Sequence, residues 1–226
     1  DFWGARASQL IHWFKRWDKV LEADEARHKY RWFTGAKLNA AFNCIDRHLI
    51  SGRRNKAALI WQGEKEMDVR CFTYQMLYTE VCRVAHALSS LHINKGDRVA
   101  LYMPMIPELV IAMLACARIG AIHTAIFSGY AEGGVRSRIQ GSKAKVVITA
   151  DAAIRAGKIK PLKANLDPIL EKCPSVAHVV VVNHADLYDV KMTPNRDIWW
   201  HDLIEDFTLD VDFPCEPMDA NDTLFL

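Results

Sequence analysis

The chain has 226 residues, 50% hydrophobic and 25% charged, an ordinary globular composition that excludes a disordered, collagen-like or low-complexity polymer. Lysine and arginine total 29 against 27 acidic residues, a net charge of +2. No global basic field exists for gripping nucleic acid or an acidic membrane, so any anion site has to be local. Cys44, Cys71, Cys82, Cys116, Cys173 and Cys215 form no CxxC pair and no Cys/His cluster at zinc-ligand spacing. This argues against a bound metal and for reduced thiols in a cytoplasmic protein. No basic segment leads into an apolar one at the start of the chain. The longest apolar run, 109–117, is closed by Arg118, far short of the roughly 20 residues of a membrane helix.

Residues 1–56 are rich in tryptophan and charge, with Trp13, Trp17 and Trp32 among cations and anions. They read as an extension, a short helix followed by irregular chain, whose aromatics lie half-buried against a larger body. An aromatic nucleic-acid platform is the alternative, and the mixed charge disfavours it. Residues 57–61 and 69–72 read as two strands of an antiparallel hairpin around the polar turn 63–68. Thr73 is suited to cap a helix whose apolar positions Leu77, Val81, Val84, Leu88 and Leu91 recur at spacings of three and four. Strand-like runs at 99–103, 121–127, 145–149 and 178–182 alternate with helical segments at 107–119, 132–140 and 162–172. Pro107 suits a first helical turn and Gly120 a C-terminal cap.

Near-continuously apolar strands alternating with helices imply an α/β fold: a doubly wound, mostly parallel sheet with helices on both faces. Residues 57–226 make up this unit. After Asn183 the chain reads as irregular, including the acidic stretch 205–222. In such sheets ligands bind outside the carboxyl ends of the strands, which directs attention to loops 104–108, 128–134 and 150–160.

Two of these loops carry suggestive chemistry. Phe127-Ser128-Gly129-Tyr130 lies between a strand and a helix, where backbone N–H groups can face a phosphate; equally, Gly129 is a turn glycine. Neither GxGxxG nor GxxxxGK[ST] occurs. Arg155 and Lys158 are three residues apart around Ala156-Gly157, and one turn would bring both cations to one side to clamp a phosphate; the alternative is a solvated cationic face. His48, His86, His123 and His178 have no partner at a recognisable catalytic spacing and read as structural.

The residues also carry a resemblance. Residues 38–49, LNAAFNCIDRHL, are similar to the "LNAAYNCVDRHL" segment of AMP-forming acetyl-CoA synthetases. Residues 96–108 resemble their "GDRVAIYMPMIPE", and 112–124 their "AMLACARIGAVHS". Phe127-Ser128-Gly129-Tyr130 resembles "FGGF", with Ser128 in place of a glycine. Residues 147–151 with 155–158 resemble "VITAD" followed by "RGGR" or "RAGR", with Lys158 in place of an arginine. Residues 197–204 resemble "DLWWHDLI".

The resemblance implies an enzyme that condenses acetate with ATP and transfers the acetyl group to CoA, with Mg²⁺ required by the full-length protein. Propionate or another short acid, or a non-catalytic CoA- or nucleotide-binding module, are the alternatives. It further implies that the chain is the amino-terminal part of a synthetase, inactive alone. The phosphate loop, acyl pocket and catalytic lysine are expected beyond residue 226, so no catalytic residue is assigned here. Phe127, Ser128 and Gly129 are expected to border the adenine of CoA. Arg155, Ala156, Gly157 and Lys158 are expected at its 3′-phosphate. Expected partners are acetate, ATP, CoA and the rest of the synthetase chain.

Overall fold

In the computed structural model, which describes residues 2–207 and 211–226, the Trp-rich amino-terminal segment folds back on itself. Helix α1 (Phe2–Leu10) is followed by an antiparallel hairpin of β1 (Lys19–Asp24) and β2 (Lys29–Thr34). Part of the expected irregular chain is therefore a β-ribbon. Its strands alternate charged with apolar residues, and Leu21 lies opposite Trp32, a cross-strand apolar pair of the kind that steadies an isolated hairpin. Trp13 gathers the segment: its ring meets Trp17 and Phe33 at 5.1 and 5.2 Å and its indole N–H donates to the carbonyl of Ala7 at 2.9 Å.

Strand β3 (Lys37–Leu38) and helix α2 (Arg47–Ile50) lead into the main body. Two buried polar groups fasten them. The Asn39 amide donates to the carbonyls of Ala117, Arg118 and Glu216. Asp46 accepts two 2.9 Å bonds from the buried guanidinium of Arg118, which also lies over the Tyr78 ring at 4.9 Å. Burial works against the charged form of Arg118, but the fork onto Asp46 outweighs it and raises the guanidinium further above its usual range.

Strands β4 (Ala57–Gln62) and β5 (Val69–Thr73) pair antiparallel as expected. The Thr73 hydroxyl accepts the N–H of Met76 and caps α3 (Tyr74–Ser90), burying Leu77, Val81, Val84 and Leu88. Truncating one of these, such as Leu88→Ala, would cost about 2–5 kcal/mol. Next come β6 (Arg98–Met103), α4 (Pro107–Ile119), β7 (Ile122–Phe127), α5 (Glu132–Ser142) and β8 (Val146–Ala150). Gly120 ends α4 with φ +75°, a conformation that favours glycine, and a Cβ there would stand 2.7 Å from Met218 Sδ and force that side chain to shift.

The segment 150–160 is not an open loop. It forms a second ribbon, β9 (Ala152–Arg155) and β10 (Lys158–Pro161), before α6 (Leu162–Leu170) and β11 (His178–Val182). Two further elements lie where irregular chain was expected: β12 (Asp197–Trp199) and α7 (Trp200–Glu205), followed by the short β13 (Met218–Asp219), which pairs with β3. Residues 208–210, inside the acidic stretch, and Asp1 lie outside the described residues.

The central sheet is wholly parallel, in the order β12-β11-β8-β6-β7. Its strands are apolar because both faces are covered: α3 packs on α4 and α7 on one side, and α5 packs on α6 on the other. Chain order reverses between β6 and β8, a flavodoxin-like order, and in sheets of this kind the crevice used by ligands lies outside the carboxyl ends of the strands at the point of reversal.

Candidate functional site

The crevice is built from the segments that leave the carboxyl ends of β6, β7 and β8. After β7 the chain makes a tight turn, with the Tyr130 N–H donating to the Phe127 carbonyl at 3.1 Å. Phe127 is 55% exposed, and its ring meets Tyr130 edge-to-face at 5.8 Å. A Cβ on Gly129 would collide with the Phe127 ring. Glycine is therefore what lets this aromatic fold down over the turn. Ser128, in the turn itself, presents its backbone carbonyl inward, where the Tyr102 hydroxyl donates to it at 3.4 Å. Burial pushes the Tyr102 phenol up, keeping it protonated for that role.

After β8 the chain passes at once into the β9–β10 ribbon, and Asp151 sets the junction. Its buried carboxylate accepts the backbone N–H groups of Ala152, His184, Ala185 and Leu187 at 2.6 to 3.2 Å, binding the start of the ribbon to the chain that leaves β11. The ribbon then turns through two residues, Ala156 at φ +50° and Gly157 at φ +67°, the left-handed pair that suits a twisted hairpin.

Arg155 and Lys158 are direct cross-strand partners. Residues opposite one another, and residues two apart along a strand, share a face, so Arg155, Lys158 and Lys160 project from one side of the ribbon. Ile154 and Ile159 project from the other, both exposed. Lys160 identifies what the cationic side faces: its ammonium donates to the Ser128 carbonyl at 2.7 Å. Among the described residues neither the Arg155 nor the Lys158 side chain has an ion-pair or hydrogen-bond partner. Like charges directly opposite repel, and an anion would relieve the repulsion between these two cations, which stand about one pleat repeat, roughly 7 Å along the strand, from an anchored lysine.

The two sequence-predicted groups, Phe127 to Gly129 and Arg155 to Lys158, thus stand at the same end of the sheet with Lys160 bridging them. Sequence reasoning missed Lys160, which the period of a strand through 158–160 could have revealed. It also missed Glu64, whose carboxylate accepts the N–H groups of Ala156 and, at 2.9 Å, Gly157. No local signal marks Glu64. The Arg155 and Lys158 side chains are exposed, whereas the Ala156 and Gly157 amides face Glu64. His48, His86 and His123 pack against Tyr74, Phe207 and Phe225, away from this end. Among the described residues no group of three or more His, Cys, Asp or Glu side chains could hold a metal ion, and no helix is long and apolar enough to cross a membrane.

Residues 46–226 match the AMP-binding enzyme family, and residues 1–44 match the acetyl-coenzyme A synthetase N-terminus. The chain belongs to the AMP-binding enzyme family. Its likeness to particular members runs from end to end. Acetyl-coenzyme A synthetase 2 of Pseudomonas putida is 46% identical over 225 residues. The acetyl-coenzyme A synthetases of Methanothrix thermoacetophila and Gemmatimonas aurantiaca are 47% and 49% identical over 226 and 232. In each case all of this chain is covered and 34% of the relative. This AMP-binding family member therefore spans about a third of the length of the curated relatives it matches. The parallel sheet and its crevice lie within the part matched to the AMP-binding family.

Proposed function

We propose that the chain is the amino-terminal part of an AMP-forming acetate–CoA ligase and supplies the groove for the nucleotide end of CoA. The likeness to acetyl-coenzyme A synthetases over the entire chain supports the activity. On this reading residues 1–56 are an extension and 57–226 the first α/β subdomain of a cytoplasmic enzyme. Acetate attacks ATP to give acetyl adenylate and pyrophosphate; the CoA thiol then displaces AMP to give acetyl-CoA. A carboxylate is a poor electrophile, whereas AMP leaves readily. Mg²⁺ would accompany ATP, and no residue of the described chain is assigned to it.

The observation that carries the CoA assignment is the cross-strand pairing of Arg155 with Lys158 on the face of the ribbon that Lys160 turns toward Ser128. The exposed Phe127 ring, folded over Gly129, offers a flat apolar surface to an adenine. The two cations, with no partner among the described residues, offer charge-assisted bonds to a phosphomonoester.

The test is Arg155→Ala in the full-length enzyme. Loss of one such bond is worth about 1.5–3 kcal/mol, roughly a 10- to 150-fold rise in KM for CoA. Acetate-dependent pyrophosphate exchange without CoA should stay near wild type, and dephospho-CoA, which lacks the 3′-phosphate, should be far less affected. Equal weakening of CoA and dephospho-CoA, or loss of pyrophosphate exchange in a folded enzyme, rules the assignment out.

A further inference from the structure

The tip of the β9–β10 ribbon is held by a residue from another hairpin. In the two-residue turn, the N–H groups of Ala156 and Gly157 point the same way, a small anion-binding concavity of the kind consecutive amides form. Glu64 fills it with one carboxylate oxygen on each N–H. Glu64 is itself presented by an ordered turn. The Gly63 N–H donates to the Asp68 carbonyl at 2.7 Å, and the Gln62 amide donates to the Lys65 carbonyl at 2.8 Å. Its hairpin is in turn pinned to the same end of the sheet, because the Trp61 indole N–H donates to the Met105 carbonyl at 2.7 Å.

We infer that Glu64 is a positioning residue that orders the β9–β10 turn, so that Arg155 and Lys158 are set on one face before an anion arrives. Three physical effects support this. With both turn amides taken, an incoming phosphate is left to the two side chains, not to the backbone. The facing cations repel one another, and a fixed negative charge at the turn offsets part of that repulsion without forming an ion pair with either. A turn held in advance also spares the ligand the entropy of ordering it. The inference rests on the CoA reading proposed for this crevice and concerns the phosphate end of that site.

The experiment measures the preference for CoA over dephospho-CoA, as the ratio of their KM values, in the full-length enzyme and in Glu64→Ala, Glu64→Gln and Arg155→Ala. Glu64→Ala should narrow the preference roughly 3- to 10-fold and speed hydrogen exchange of the Ala156 and Gly157 amides. Glu64→Gln, with one acceptor oxygen left, should fall between. A merely structural loss would change both KM values together and leave the ratio alone. An unchanged ratio with unchanged amide exchange overturns the inference. A wider preference in Glu64→Ala also overturns it, by making Glu64 a competitor of the phosphate. If Arg155→Ala abolishes the preference and Glu64→Ala does not touch it, the role of Glu64 alone falls; if wild type shows no preference, the CoA reading falls with it.

Discussion

The Lys160 ammonium donates a 2.7 Å hydrogen bond to the backbone carbonyl of Ser128, joining the ribbon that follows the central strand β8 to the turn that follows the edge strand β7. A hydrogen bond from a charged donor is worth about 1.5 kcal/mol or more, and this one links the aromatic turn to the ribbon that carries the cationic turn. Lys160→Met keeps the aliphatic stem and removes the donor. The expected result is a KM for CoA raised roughly tenfold, with the thermal midpoint close to wild type. Steady-state kinetics with CoA varied provide the check, and an unchanged KM would show that the two turns hold their spacing without this bond.

Lys158 gives a point charge where a planar guanidinium could make two parallel bonds to a phosphate. Lys158→Arg should therefore tighten CoA several-fold and leave dephospho-CoA near wild type. Because Lys158 is exposed and lacks an ion-pair partner among the described residues, the substitution breaks no contact of its own. Isothermal titration with the two ligands reads the effect; a gain shared equally by both would place the new guanidinium away from the 3′-phosphate.

Stability at low pH should depend on the network around Asp197. Its fully buried carboxylate meets Arg196 at 2.6 Å and the buried Lys163 ammonium at 2.8 Å, and Lys163 also contacts Asp167 at 2.8 Å. Burial opposes the charged form of Asp197, but hydrogen bonds from Arg196, Lys163 and the Thr193 N–H outweigh it and hold the carboxyl below the usual carboxylate range. A carboxyl depressed in the folded state binds a proton more weakly there than when unfolded. Its contribution is thus complete above the unfolded value of about 3.9 and is lost as pH falls through the folded value. Asp197→Asn should lower unfolding free energy by about 3–5 kcal/mol at neutral pH, since it leaves Lys163 short of a counter-charge. It should also flatten the fall in stability below about pH 4. Urea unfolding at several pH values tests both, and a variant as stable as wild type at pH 7 would show that Asp167 alone compensates Lys163.

Much of this fold could be read from local patterns. Thr73 capping α3, Pro107 opening α4, Gly120 closing it and the apolar runs of β6, β8 and β11 each depend on residues within a few positions of one another, and each stands where those patterns put it. The ribbon at 152–161 is only faintly marked, because each strand has four residues and the only polar–apolar alternation is the short run Lys158-Ile159-Lys160. β12 is hidden for a related reason: three residues gain strand geometry only by lying beside β11.

The candidate site divides in the same way. Sequence alone determined which residues are candidates for the proposed site, an aromatic with a glycine at 127–129 and two cations at 155 and 158, because residue type and motif spacing are properties of the chain. Only tertiary structure decided that Arg155 and Lys158 share a face, that Lys160 turns this face to Ser128 and that Glu64 occupies the turn between them. Those contacts span 32 and 92 positions. The first exists because the order β8-β6-β7 brings the carboxyl ends of separate strands to one end of the sheet, and the second because the separate β4–β5 hairpin is tied to that same end through Trp61 and Met105, both beyond the reach of any local periodicity.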